Sequence, residues 1–158
     1  MLMKLLRILL FPFSLIYGAI IWLRNRLFDW NILRSYRFGI PVISVGNLEV
    51  GGSGKTPITE YLIRLLSSRY KVATLSRGYG RKTKGFRYVE SEDTAALSGD
   101  EPLQIKRKFP EITVAVAEKR VLGIQNLKSD HQLVIMDDAY QHRAVVPGLN
   151  ILLFDFNT

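Results

Sequence analysis

The chain has 158 residues, 47 % of them apolar and 23 % charged, which is enough for about one domain with a real core and excludes wholesale disorder. It contains no cysteine, so disulfide stapling and thiolate nucleophiles are excluded. The formal net charge is +8, and much of that excess sits near the amino end, where Lys4, Arg7, Arg24, Arg26, Arg34 and Arg37 face Asp29 alone within the first forty residues.

The first element is apolar. From Ile8 to Leu23 no charge occurs, and cations flank the run on both sides. Sixteen helical residues would reach about 24 Å, short of a hydrocarbon core of about 30 Å. Pro12 is expected to bend or restart the helix. With Trp22 and Trp30 near its boundary, the segment is expected to be an interfacial anchor on an anionic leaflet. A spanning helix, a signal peptide and a buried core helix are the alternatives, the signal peptide lacking an evident small-x-small cleavage site. Domain organisation follows: residues 1–38 form a membrane-associating helical segment and 39–158 a nucleotide-binding domain.

The run Pro41-Val42-Ile43-Ser44-Val45 reads as a strand, and Pro57 to Tyr70 carries a helical pattern. Between them stands Glu49-Val50-Gly51-Gly52-Ser53-Gly54-Lys55-Thr56. A glycine-rich turn lets backbone N–H groups converge on phosphate oxygens, and the following helix adds its positive end. Lys55 supplies a mobile cation for the β- and γ-phosphates of ATP, and Thr56 a hydroxyl for Mg²⁺. Glu49 occupies the place where this pattern usually has glycine, so the turn leans on Gly51 and Gly52.

Further strands are expected at 71–76, 112–117, 133–137 and 150–155, with helices at 55–68, 99–108 and 118–128. This alternation predicts an α/β fold, a P-loop NTPase-like, mostly parallel sheet with flanking helices, preceded by the apolar helix. The segment from Gly78 to Ser98 is less regular, with room for a small strand at 86–90. The strand Leu133-Val134-Ile135-Met136 ends in Asp137 and Asp138; adjacent acids point in different directions, so one is expected to complete a Mg²⁺ site opposite the loop threonine and the other to serve a water or a neighbouring loop.

Three clusters fall in loops at the carboxyl ends of strands, where nucleotide binds in such sheets: Ser76-Arg77-Gly78-Tyr79-Gly80-Arg81, Gly99-Asp100-Glu101-Pro102 and Asp138-Ala139-Tyr140-Gln141-His142-Arg143. Gly-Asp-Glu-Pro before an apolar pattern also reads as a helix cap at Asp100. Together with Val45-Gly46-Asn47 and the glycine-rich loop, their order and spacing resemble the tetraacyldisaccharide 4′-kinase family, the lipid A 4′-kinases of Gram-negative bacteria. Ala139 and Tyr140 stand where members commonly have glycine and phenylalanine.

The resemblance implies a peripheral enzyme on the cytoplasmic face of the inner membrane. It would move the γ-phosphoryl group of ATP to the 4′-hydroxyl of a tetraacyldisaccharide 1-phosphate. Asp100 aligns with the family's proposed base. Arg77, Arg81 and Arg120 are candidates for contact with phosphate or the lipid substrate, and His142 for orienting the metal loop. Members run to about twice this length, so these residues are expected to form an incomplete active site. A nucleotide-binding or NTP-hydrolysing module without lipid kinase activity is the alternative; the base-reading Asn-Lys-x-Asp of a GTPase is absent from the sequence. No nucleic-acid partner is expected, since the basic charge clusters at the apolar segment, and no protein partner is predicted.

Overall fold

Short runs of Val, Ile and Leu that are apolar on both faces need cover on both faces, and the computed structural model arranges them as a sheet between helices. It describes residues 2–47, 54–137 and 142–154, with side chains described from residue 10 onward. The chain divides into two compact units, Met1–Ser35 and Tyr36–Thr158. Tyr36 falls in the second because its N–H donates to Ala144 and its backbone bridges Val145.

The first unit is built on α1, Leu2–Asp29, a helix of 28 residues, or about 42 Å. It runs through Pro12 without restarting. A proline removes one donor from a ladder, and a long helix can keep its course on either side. Near the end of α1, Arg24 lies over the ring of Phe28 and Arg26 over that of Trp22, at 5.4 and 5.5 Å. Among the described residues, no helix is long and apolar enough to cross a membrane.

The second unit takes its elements in the order β1 (Val42–Asn47), α2 (Lys55–Leu66), β2 (Val72–Ser76), β3 (Arg87–Tyr88), α3 (Ala95–Ser98), α4 (Asp100–Lys108), β4 (Thr113–Val116), α5 (Arg120–Leu127), β5 (Leu133–Asp137) and β6 (Leu149–Leu153). The sheet order is β3-β4-β2-β5-β1-β6. All neighbours are parallel except β3, which runs antiparallel to β4. The short α3 was not expected; its residues lie in the irregular segment and are too few to carry a periodic pattern.

Strand side chains alternate between two cores. Ile43, Val45 and Ile135 pack with Leu62 and Ile63 of α2 and Leu103 and Ile105 of α4 on one face. Val42, Leu75, Val134 and Met136 pack with Ile124 and Leu127 of α5 on the other. Such two-sided burial fixes strand register strongly, because a slip of one residue would exchange the faces. That register sets the strand ends, and the strand ends carry the chemistry.

Candidate active site

Parallel strands align their carboxyl ends, and three of them deliver functional residues to one edge. β1 ends at Asn47, β2 at Ser76 and β5 at Asp137. Because β5 lies directly between β1 and β2, Asp137 stands in register beside Val45 of the strand that leads into the glycine-rich loop. Glu49, Val50, Gly51, Gly52, Ser53 and Asp138 lie outside the described residues.

The loop leaves through Gly54, whose φ of 78° is a left-handed conformation that glycine adopts without strain. It caps α2, so Lys55 and Thr56 occupy the first turn, where the helix end is electropositive. Lys55 Nζ donates to Asn47 Oδ1 at 3.0 Å, reaching from the exit of the loop back to its entry. Thr56 is half-buried.

Lys55, Arg77, Tyr79, Asp100, Glu101 and Asp137 are brought together around a cavity of about 450 Å³. Asp137 is buried, 2 % exposed, whereas Arg77, Tyr79 and Asp100 are exposed on the cavity wall. Asp100 is the first residue of α4, and Gly99 takes the cap position with no side-chain capping bond. The carboxylate of Asp100 is therefore not used as the helix cap.

Two glycines explain why Arg77, Tyr79 and Asp100 share this wall. Gly78 and Gly99 have φ of +69° and +90°, and a Cβ on Gly99 would stand 3.0 Å from Gly78 backbone atoms and from the Tyr79 carbonyl. The two backbones touch, which draws the loop after β2 against the start of α4. Each glycine was legible in its own motif, but their contact was not.

The remaining arginines lie elsewhere. The Arg81 side chain is 2 % exposed and paired with Glu118, and it also donates to the Gly85 carbonyl at 2.6 Å. It braces the loop from behind. Glu118 accepts from the Gly85 N–H at 2.9 Å. Burial pushes the Glu118 carboxyl up, but backbone hydrogen bonds and the Arg81 guanidinium outweigh it and hold the group below the usual carboxylate range. Arg120, also buried, donates to the carbonyls of Ala117 and Asp137, tying together the ends of β4 and β5. His142 is half-buried, and its carbonyl accepts from Val145 N at 3.1 Å. Neither Arg81, Arg120 nor His142 is among the described residues lining the cavity.

The donor set fits a magnesium nucleotide. The cavity wall offers an ammonium and a guanidinium for phosphate, and a buried carboxylate for metal. Among the described residues, no group of three or more His, Cys, Asp or Glu could hold a metal ion. Mg²⁺ bound mainly through phosphate oxygens and water needs no such cage.

Known proteins resemble this chain in sequence and fold. The model of the tetraacyldisaccharide-1-P 4′-kinase family matches residues 6–158. Curated tetraacyldisaccharide 4′-kinases of Phocaeicola vulgatus and Flavobacterium johnsoniae are 56 % identical over 153 residues and 53 % identical over 158, covering 94 % and 98 % of this chain. The chain spans 42 % and 46 % of those relatives, less than half their length. A crystal structure of LpxK from Aquifex aeolicus in complex with ATP superimposes with a TM-score of 0.83 at 42 % identity, over 93 % of this chain and 48 % of that one.

Proposed function

The chain belongs to the tetraacyldisaccharide-1-P 4′-kinase family, and from that premise we propose that its cavity binds Mg·ATP and passes the γ-phosphoryl group to the 4′-hydroxyl of a tetraacyldisaccharide 1-phosphate. The observation that carries this reading is the convergence of Lys55, Asp100 and Asp137 on one cavity at the carboxyl edge of the sheet.

Each residue then has a physical task. Gly51, Gly52, Ser53 and Gly54 wrap the phosphates, and Lys55 neutralises charge on the transferring group. Thr56 with Asp137 or Asp138 would hold Mg²⁺, which would offset charge on the β- and γ-phosphates. Asp100, exposed at the cavity wall, accepts the proton of the sugar hydroxyl as its oxygen bonds to the γ-phosphorus and the β–γ bridging oxygen leaves with ADP. Arg77 offers a guanidinium to an anionic group of the lipid substrate.

An acylated acceptor resides in a bilayer, so the enzyme gains from lying against one. Helix α1 exposes Phe11, Phe13, Ile16, Tyr17, Ile20 and Trp22, each more than half accessible, which supports a peripheral, interfacial attachment to anionic lipid. The corresponding location is the cytoplasmic face of the bacterial inner membrane, where ATP is available.

The test is transfer of label from [γ-³²P]ATP to the disaccharide 1-phosphate lipid. It is run on this chain alone and on the chain fused to the remaining length of the Flavobacterium johnsoniae relative. Label on lipid, lost when Asp100 is replaced by Ala, is the expected result. Lipid-independent release of inorganic phosphate by both proteins would replace the kinase with a nucleotide-hydrolysing module.

A further inference from the structure

The residues Val45-Gly46-Asn47 lead into the glycine-rich loop, and the reading of the site gives Asn47 no task. Yet Asn47 closes β1, in parallel register with Leu153 of β6, so its backbone is fixed by the sheet. Its Oδ1 accepts the ammonium hydrogen bond from Lys55, the residue on which phosphate binding most depends. A lysine on the first turn of a helix has four side-chain torsions and a strongly hydrated head, so it gains much from being oriented before its ligand arrives.

We propose that Asn47 is a positioning residue for nucleotide: its amide oxygen holds the Lys55 side chain in the cavity wall and yields it to the incoming phosphates. This deepens the nucleotide reading and rests on it. A neutral amide suits the task. It is polar enough to select one lysine conformation, but it leaves the ammonium charge intact for the triphosphate, a much stronger acceptor. A carboxylate at the same place would do the reverse, binding the ammonium as an ion pair and repelling phosphate.

The experiment is calorimetric titration of Mg·ATP into the wild-type chain, Asn47→Ala and Asn47→Asp, with thermal unfolding of each. The expected loss for Asn47→Ala is about three- to tenfold in affinity, the scale of one ordinary net hydrogen bond, because Asn47 acts through its partner. For Asn47→Asp, although nearly isosteric, the loss is larger, about tenfold or more, because charge repulsion is added. A residue that merely fills space predicts the opposite order, with Asn47→Asp nearer to wild type. That order, or wild-type affinity in both variants, overturns the proposal while leaving the nucleotide reading intact. A wild-type chain that is folded and takes up no Mg·ATP overturns both. Should Asn47→Ala fail to fold, the shape-conserving Asn47→Asp decides alone: unchanged affinity overturns the proposal, a loss supports it.

Discussion

Helices α1 and α2 draw on similar apolar residues and place them oppositely. In α2 the apolar residues divide: Leu62 and Ile63 are buried against the sheet, while Tyr61 and Leu65, with Arg64, are exposed. In α1 they fall on all sides, and Phe13, Tyr17 and Ile20 are each at least 60 % exposed. Apolar content therefore says that a segment avoids water without saying what it meets instead. Burial carries the second message: a helix with part of its apolar surface covered is built for a core, and one whose apolar side chains are exposed on all sides for surroundings that are themselves apolar. On this reading chemistry belongs to the sheet unit and location to α1, and the two should be separable by substitution.

The largest effect expected is on chemistry alone. Lys55→Ala should cost about 10²–10³-fold in phosphoryl transfer, the range for removing one preorganised charge-stabilising group, with vesicle flotation unchanged. A variant that retains transfer within a few-fold would remove Lys55 from the charge-stabilising role. The converse substitution is Ile16→Asp. A charge at the centre of a helix in the bilayer costs about 2.5–3.5 kcal/mol even by the mildest insertion scales, less at an interface, so flotation on anionic vesicles should fall by about tenfold or more. Mg·ATP uptake should stay as it was. Equal flotation of wild type and Ile16→Asp would break the assignment of location to α1.

The contrast also bears on what could be read from the chain beforehand. The five parallel strands were legible because each is a short apolar run, four of them largely buried and β6 only half-buried or exposed at the sheet edge, and the strand-end position of Asp137 followed from them. The irregular stretch between Gly78 and Ser98 was legible only in its small strand, expected at 86–90 and found as β3. Its α3 has four residues, and its fold is set by distant partners such as Thr83 Oγ1 donating to the Leu97 carbonyl at 2.6 Å. Arginine chemistry was equally opaque: Arg77 and Arg81 sit in one motif, but one faces the cavity and the other is buried behind it, because Glu118, thirty-seven residues on, supplies the counter-charge. The Asn47–Lys55 contact was hidden because a side-chain bond across a loop leaves no periodic trace.

A smaller effect tests the glycine contact that assembles the cavity wall. Gly99→Ala forces an alanine to φ +90° and sets its Cβ at 3.0 Å from the Gly78 backbone. The strained conformation alone costs about 1–3 kcal/mol. Urea unfolding of the sheet unit should shift to a lower midpoint, by that free energy divided by the m-value, and the start of α4 should move away from the loop carrying Arg77. Transfer should suffer more than Mg·ATP binding, because Asp100 is displaced while Lys55 is not. An unchanged midpoint would mean that the two backbones are not in contact in solution.

The smallest effect expected is that of Glu118→Gln. The carboxyl group has an ordinary value of 4.5 and is held lower in the folded chain, since its backbone hydrogen bonds and Arg81 favour the charged form more than burial opposes it. A carboxyl group depressed on folding contributes stability above its unfolded pKa and loses it as pH falls through the folded value. Its side chain is 41 % exposed, so solvent screening keeps the contribution below about 1 kcal/mol. At pH 7 the variant should therefore unfold at a slightly lower denaturant concentration than wild type. The gap should close as pH drops from about 4.5 through the lower folded value. A gap that stays constant across that range would assign the loss to packing instead of charge. Flotation through α1 should ignore the substitution at every pH, because the attachment proposed for α1 rests on apolar and arginine side chains that do not titrate in that range.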